Sequence, residues 1–107
     1  MAGQLRRRLP SLVTAHRASL AVVAKRVGLG ARTLSRRLAD EGTSFMQLRE
    51  DVCYTLACQL LEGTHTAVNE IADYLGYAHP SAFTRAFRGW TGMGPAQWRA
   101  SRRRRSP

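Results

Sequence analysis

Residues 71–95, IADYLGYAHPSAFTRAFRGWTGMGP, decide the fold of this chain. The stretch predicts a helix, a turn that contains Gly76, and a second helix. In that second helix Phe83 and Phe87 lie four residues apart, so their rings share one face. The polar and basic side chains of the opposite face are Ser81, Arg85 and Arg88. The second helix is therefore predicted to be held by aromatic side chains and to present arginines outward.

The charge balance of the chain indicates a polyanionic partner. Its 107 residues include 17 Lys+Arg against 7 Asp+Glu, which gives a net charge of +10, and Lys25 is the one lysine. Guanidinium groups pair with phosphate in a fork geometry and also hydrogen-bond to guanine edges. An outward arginine face on so basic a chain favours binding in a DNA groove over a charge that serves only solubility.

The two cysteines, Cys53 and Cys58, favour a reducing compartment. Five residues apart on one helix, they suit neither a local disulfide nor a zinc site, and both are expected to be small core residues. No apolar run approaches the roughly 20 residues that span a bilayer, and no signal peptide is recognisable. We therefore expect a cytoplasmic protein without metal, cofactor or membrane association.

The apolar spacing predicts an all-α chain of about seven helices. The predicted segments are an N-terminal helix and lead-in (1–18, with a loop over 16–18), a first helix-turn-helix (19–43), a linker helix (44–63), a second helix-turn-helix (64–100) and a basic, disordered tail (101–107). Ser19 and Ser44 are expected to be N-caps. Pro10 is expected to kink the first helix or to begin a new one.

The same unit occurs twice in the chain. Val23–Leu29 matches Ile71–Tyr77 at an offset of 48 residues. Leu34–Leu38 then matches Phe83–Phe87 at an offset of 49, because the second turn has one extra residue. Each unit is helix, glycine-containing turn, helix, which is the helix-turn-helix plan.

The residue types at matched positions have physical roles. Ala24 and Ala72 are small, which lets the second helix of each unit pack closely across the first. Gly28 and Gly76 permit a left-handed turn conformation. The linker helix has 19 residues over 44–62 and is therefore about 28 Å long. Since successive major-groove faces lie about 34 Å apart, one monomer is expected to place two recognition helices in adjacent grooves.

These residues resemble the DNA-binding domain of AraC/XylS-type bacterial transcription regulators over about residues 20–99. The similarity is densest in the second unit, in IADYLGY, SAFTRAF, Trp90-Thr91-Gly92, Pro95 and Arg99. The resemblance implies two helix-turn-helix subdomains joined by a long helix. It also implies sequence-specific binding of double-stranded DNA, usually to activate transcription beside RNA polymerase. Such regulators usually carry an effector-binding or dimerisation domain ahead of this region, which we expect to be absent from this chain.

The resemblance also implies which side chains contact DNA. The implied base-reading residues are Arg32, Ser35 and Arg36 in the first recognition helix, and Ser81 and Arg85 in the second. Apolar or phosphate contacts are expected from Pro80, Arg88, Arg37, Thr33 and Thr84. Pro80 stands at a base-reading position but has no N–H, so it offers only apolar contact. Gly30 and Ala67 stand where the family usually has a serine N-cap, which predicts two weakened helix starts.

Other functions fit the residues less well. His16, His65 and His79 are scattered and lack the acid or nucleophile partners of an active site, so we predict no enzyme activity. Gln4–Ala15 is basic and amphipathic, which leaves a membrane-surface or partner-binding module as an alternative, although its leucines are expected in the core. Non-specific nucleic-acid binding is the other alternative. RNA recognition is disfavoured because the aromatic residues fall at core spacing.

Overall fold

The computed structural model describes residues 1–14 and 19–105 of the chain. Within these residues the chain is all-α, as predicted, and contains no strand. The helices are α1 (Ala2–Thr14), α2 (Leu20–Arg26), α3 (Ala31–Asp40), α4 (Phe45–Gly63), α5 (Val68–Tyr74), α6 (Pro80–Thr91) and α7 (Pro95–Arg105). The loop predicted over 16–18 lies outside the described residues.

The chain divides into two compact units, 1–53 and 54–107. Unit 1 contains α1, α2, α3 and the first part of α4. Unit 2 contains the rest of α4 together with α5, α6 and α7. The predicted linker helix thus supplies side chains to both units, since Leu48 is buried in unit 1 and Leu61 in unit 2.

The core of unit 1 is aliphatic apart from Phe45 and Cys53. Its buried side chains from α1, α2 and α3 are Leu5, Leu9, Leu12, Val13, Val23, Ala24, Leu34 and Leu38. Helix α1 runs through Pro10 without a new helix beginning there. Pro10 lacks the N–H that would bond the carbonyl of Arg6, but burial of one whole face of α1 compensates for a lost hydrogen bond.

The core of unit 2 is built on aromatic rings. Phe87 lies at its centre, with ring centroids 5.9 Å from Phe83, 6.3 Å from Tyr54, 6.0 Å from Trp90 and 5.6 Å from Trp98. The pairs with Trp90 and Trp98 are edge-to-face, a favoured geometry for aromatic side chains, and the other two are tilted. Helix α6 is therefore held on one side by a continuous group of rings.

The two turns that precede α3 and α6 have the same hydrogen bonds. In the first turn the N–H of Leu29 donates to the carbonyl of Ala24 at 2.9 Å, and Gly28 has φ 75°. In the second turn the N–H of Tyr77 donates to Ala72 at 3.0 Å, and the glycine φ is 86°. This is a Schellman ending, which requires a left-handed residue after the helix. The predicted role of both glycines is confirmed.

The helix starts also agree with the predicted caps. The hydroxyl of Ser19 accepts from the N–H of Val22 at 3.2 Å, and that of Ser44 accepts from Gln47 at 3.1 Å. In contrast, α3 and α5 begin at Gly30 and Ala67 without a side-chain cap. The predicted weakness of these two starts therefore has a structural basis.

The prediction of a disordered tail over 101–107 is wrong for residues 101–105, because α7 continues to Arg105. Arginine has a high helix propensity. The helix is also tied to the end of α4: Arg99 Nε donates to the carbonyl of Leu61 at 2.9 Å, and Arg103 Nη2 donates to that of Thr64 at 3.0 Å. Residues 106 and 107 lie outside the described residues.

Candidate nucleic-acid interface

Helix α6 presents its polar side chains on the face opposite the aromatic core. Phe83 and Phe87 have no exposed surface, whereas Ser81 and Arg85 are exposed. His79 is the N-cap residue, and its side chain makes no capping hydrogen bond. Pro80 occupies the first helical turn, where its missing N–H costs no intrahelical hydrogen bond. The helix thus begins without a polar cap but with a rigid first turn.

Four side chains of α6 line one shallow, open groove: Ser81, Thr84, Arg85 and Arg88. The sequence predicted all four as DNA contacts, and the structure brings them together. The two hydroxyl groups and two guanidinium groups that line the groove can donate to phosphate oxygens or to the base edges of DNA. Pro80 is exposed beside Ser81 but does not line the groove.

Arg88 differs from Arg85 in its surroundings. Arg88 Nε lies 3.6 Å from the position that a Cβ would occupy on Gly94. The side chain of Arg88 therefore lies beside the turn that follows α6. Arg85 stands one turn nearer the start of the helix. In helix-turn-helix docking the first part of the recognition helix approaches the bases. The prediction that Arg85 reads bases and Arg88 contacts phosphate is consistent with this placement, and it stays a prediction.

Helix α3 carries the corresponding face of unit 1. Leu34 and Leu38 are fully buried. The predicted contact residues Arg32, Ser35, Arg36 and Arg37 are all exposed, and Thr33 is half-buried. At positions 32, 35 and 36 the side chains lie one helical turn or less apart on the outer face. These three positions therefore offer two guanidinium groups and one hydroxyl to a ligand outside the helix.

Histidine and cysteine are the side chains of this chain that could support other chemistry. His65 Nδ1 lies 3.1 Å from Arg103 Nη2. In the described part of the chain no three His, Cys, Asp or Glu residues come together as a metal site. Cys53 is buried, as predicted, but Cys58 is only half-buried and lies near Tyr54. Burial raises the pKa of the Cys58 thiol, while its hydrogen bond with Tyr54 lowers that pKa, and the thiol is the less nucleophilic form.

The amphipathic α1 does not expose its apolar face. Leu5 and Leu9 have no exposed surface, and Val13 has 1%. The expectation that these side chains belong to the core is confirmed, which removes the apolar surface that binding to a bilayer would use. Among the described residues no helix is long and apolar enough to cross a membrane.

Two arrangements of arginines were not predicted from the sequence. In unit 2, Arg99 and Arg103 bind backbone carbonyls, and Arg102 lies over the ring of Trp98 at 4.7 Å from its centroid. In unit 1, arginines of α1 and α2 line a common groove. Burial lowers the pKa of the Arg99 guanidinium, and the charge of Arg103 lowers it further. A run of arginines in the sequence does not indicate which of them binds a carbonyl, lies over a ring or lines a groove.

Comparison with known proteins agrees with the fold. A family model described as a helix-turn-helix domain matches residues 23–101. The transcriptional regulator VqsM of Pseudomonas aeruginosa is 39% identical over 83 residues, covering 78% of this chain and 26% of VqsM. VirS of Mycobacterium tuberculosis is 37% identical over 98 residues, covering 92% of this chain and 28% of VirS. The chain thus spans about a quarter of the length of these relatives.

Solved structures show the same architecture. The DNA-binding domain of the transcription factor AdpA, in complex with a target DNA, matches with a TM-score of 0.79 and 27% identity, over 95% of this chain and 96% of that one. The C-terminal domain of AraT, a response regulator of Geobacillus stearothermophilus, matches with a TM-score of 0.84 and 28% identity, over 94% and 84% of the two chains.

Proposed function

Because the chain belongs to the AraC-type family of helix-turn-helix DNA-binding domains, we propose that α3 and α6 bind the major groove of a specific duplex site and read its bases. The groove of Ser81, Thr84, Arg85 and Arg88 is the observation that carries the proposal. It joins hydroxyl and guanidinium donors on the exposed face of a helix whose other face is locked by aromatic rings.

The base-reading residues of this proposal are Arg32, Ser35 and Arg36 on α3, and Ser81 and Arg85 on α6. Arginine makes two hydrogen bonds to guanine O6 and N7, and serine bonds to several base edges. The flanking contacts come from Thr33, Arg37, Pro80, Thr84 and Arg88. Of these, Pro80 makes only apolar contact, and the two arginines bind phosphate.

The site is bipartite, with one half for each recognition helix. Helix α4 has 19 residues and a length of about 28 Å, near the repeat of the major groove. The domain acts in the bacterial cytoplasm and regulates transcription, as an activator that works beside RNA polymerase. The similarity to VqsM and VirS, which are transcriptional regulators, supports the regulatory part of this proposal.

The first test is selection of a binding motif from a random duplex library by the 107-residue chain. We expect a motif with two half-sites whose centres lie about ten base pairs apart. Failure to enrich any sequence, together with binding that depends only on salt, would leave non-specific nucleic-acid binding as the function.

The second test compares two arginines of each recognition helix to separate base contacts from phosphate contacts. Arg36→Ala and Arg85→Ala are each expected to cost about 1–3 kcal/mol on the selected site and to relax base preference locally. The matched variants Arg37→Ala and Arg88→Ala remove the same charge from the same helices. They should weaken binding to selected and random duplexes equally. Titration of each variant with both duplexes measures these losses in binding. An equal loss from all four variants would contradict the assignment of Arg36 and Arg85 as base-reading residues.

A further inference from the structure

Helices α1 and α2 form a strongly basic groove outside both recognition helices. Its lining residues are Arg7, Arg8, Ser11, Leu12 and Arg26. All three arginines are exposed, and no lining residue is acidic. Three like charges beside one another repel, so this arrangement is favourable when an anion occupies the groove.

The neighbouring cations of the same helices are placed differently. Arg6 has its Nη2 3.7 Å from the carboxylate of Asp51, and it does not line the groove. Lys25 precedes Arg26 directly and is also outside the lining. The three arginines of the groove are thus distinguished by position from basic residues that are adjacent in sequence.

The chemistry of the groove fits a phosphate group. Guanidinium groups bind phosphate through pairs of parallel hydrogen bonds, and several arginines around one concave surface can share its oxygens. Leu12, which is buried, adds apolar surface to the lining of the groove. Hydrogen bonds to charged groups are stronger in less polar surroundings.

The position of the groove along the chain indicates the source of the phosphate. Arg26 is the last residue of α2, and only the turn over 27–30 separates it from α3. When a recognition helix lies in the major groove, the helix before it crosses the sugar–phosphate backbone. We propose that Arg7, Arg8 and Arg26 bind a backbone phosphate of the DNA that flanks the base pairs read by α3. This inference rests on the proposed entry of α3 into the major groove.

The test compares two double variants of the 107-residue chain. Arg8→Gln/Arg26→Gln removes two charges from the groove. Arg6→Gln/Lys25→Gln removes two charges from the adjacent positions of the same helices and serves as the matched control. Circular dichroism checks that both variants keep the helix content of the parent. Binding to the selected duplex and to a random duplex is then titrated over a range of salt concentrations.

The expected result follows from counterion release. Each phosphate contact contributes about 0.9 to the slope of log K against log salt concentration. The groove variant should reduce the magnitude of that slope by up to about 0.9 on both duplexes, and the control should reduce it by much less. Ethylation of individual phosphates should also block the parent at a flanking position where the groove variant is insensitive.

Three other outcomes have definite meanings. Equal slopes for the two double variants would overturn the inference. The inference would also be overturned if the groove variant bound DNA like the parent but no longer bound polyglutamate. That result would indicate that the groove binds an acidic protein surface. If no motif can be selected but only the groove variant lowers the slope, the phosphate contact stands and base reading by α3 fails.

Discussion

Helix α3 in unit 1 is held by Leu34 and Leu38, whereas α6 in unit 2 is held by Phe83 and Phe87 at the matched positions. The turns that lead into the two helices have the same hydrogen bonds and the same left-handed glycine. The outer faces nevertheless both carry arginine and serine. The turn and the helical period therefore orient the outer face, while the side chains of the core beneath it are free to differ.

The difference in the cores has an energetic consequence. The aromatic side chains of unit 2 bury more area each and add specific ring–ring contacts, worth about 0.5–1.5 kcal/mol per pair. Each helix buries two side chains, and those of α6 are the larger. The position of α6 should therefore be the more sensitive to a single core substitution.

The largest expected effect comes from removing the central ring of unit 2. Phe87→Ala should lower the free energy of unfolding by about 3–5 kcal/mol, because it leaves a cavity and removes the contacts with Tyr54 and Trp98. The matched variant Leu38→Ala should cost less within the range of about 2–5 kcal/mol for aliphatic residues. Urea unfolding measures both losses. Both tryptophans lie in unit 2, so their fluorescence follows that unit. A greater loss for Leu38→Ala would contradict the comparison.

A smaller effect is expected from the arginine that ties α7 to α4. Arg99 donates to the carbonyls of Leu61 and Leu60 at 2.9 and 3.4 Å, and α4 ends shortly after them. Arg99→Met should cost about 1.5–3 kcal/mol at most, because charged hydrogen bonds to these carbonyls are lost while the apolar stem is kept.

The control for that prediction is Arg102→Met, on the same helix and with the same change of charge. Arg102 is exposed and stacks on Trp98, so its loss should cost only about 0.5–1 kcal/mol. Thermal unfolding of both variants provides the measurement. If they are equally stable, the hydrogen bonds of Arg99 add nothing beyond a surface charge.

Small gains in stability are expected at the starts of α3 and α5, whose N-cap residues Gly30 and Ala67 have no side-chain acceptor. Ala67→Ser should raise the free energy of unfolding by about 0.5–2 kcal/mol, because the new hydroxyl can accept from an otherwise unpaired N–H of α5. Gly30→Ser should gain only a few tenths of a kcal/mol, since glycine is already a tolerable N-cap. The shift in melting temperature measures each gain.

Ala67→Val tests whether the gain at residue 67 comes from the hydroxyl. Valine adds size without an acceptor and ranks with alanine at an N-cap, so no gain is expected. A larger gain from Gly30→Ser than from Ala67→Ser would show that backbone freedom at residue 30, and not the missing acceptor, limits the start of α3.

Much of the fold followed from local patterns. The 3.6-residue period located the helices, and serine at 19 and 44 located two of the caps. The prediction of a disordered tail was wrong for residues 101–105 because a run of arginines resembles a solvated segment. In the structure, Arg103 reaches the carbonyl of Thr64, which lies 39 residues away in the chain. Nothing in the local sequence of residues 101–105 reports that distant acceptor.

Local sequence patterns are enough to specify the repeated helix-turn-helix plan and the faces of α3 and α6. Helical periodicity and the left-handed turn are local properties that each residue type expresses where it stands. The contacts of each arginine, in contrast, depend on how the helices pack. Arg6 pairs with Asp51, Arg7 and Arg8 line a groove, and Arg99 binds the end of α4. The physical reason is that a guanidinium group is the same donor everywhere, and its role depends on which acceptors packing brings within reach.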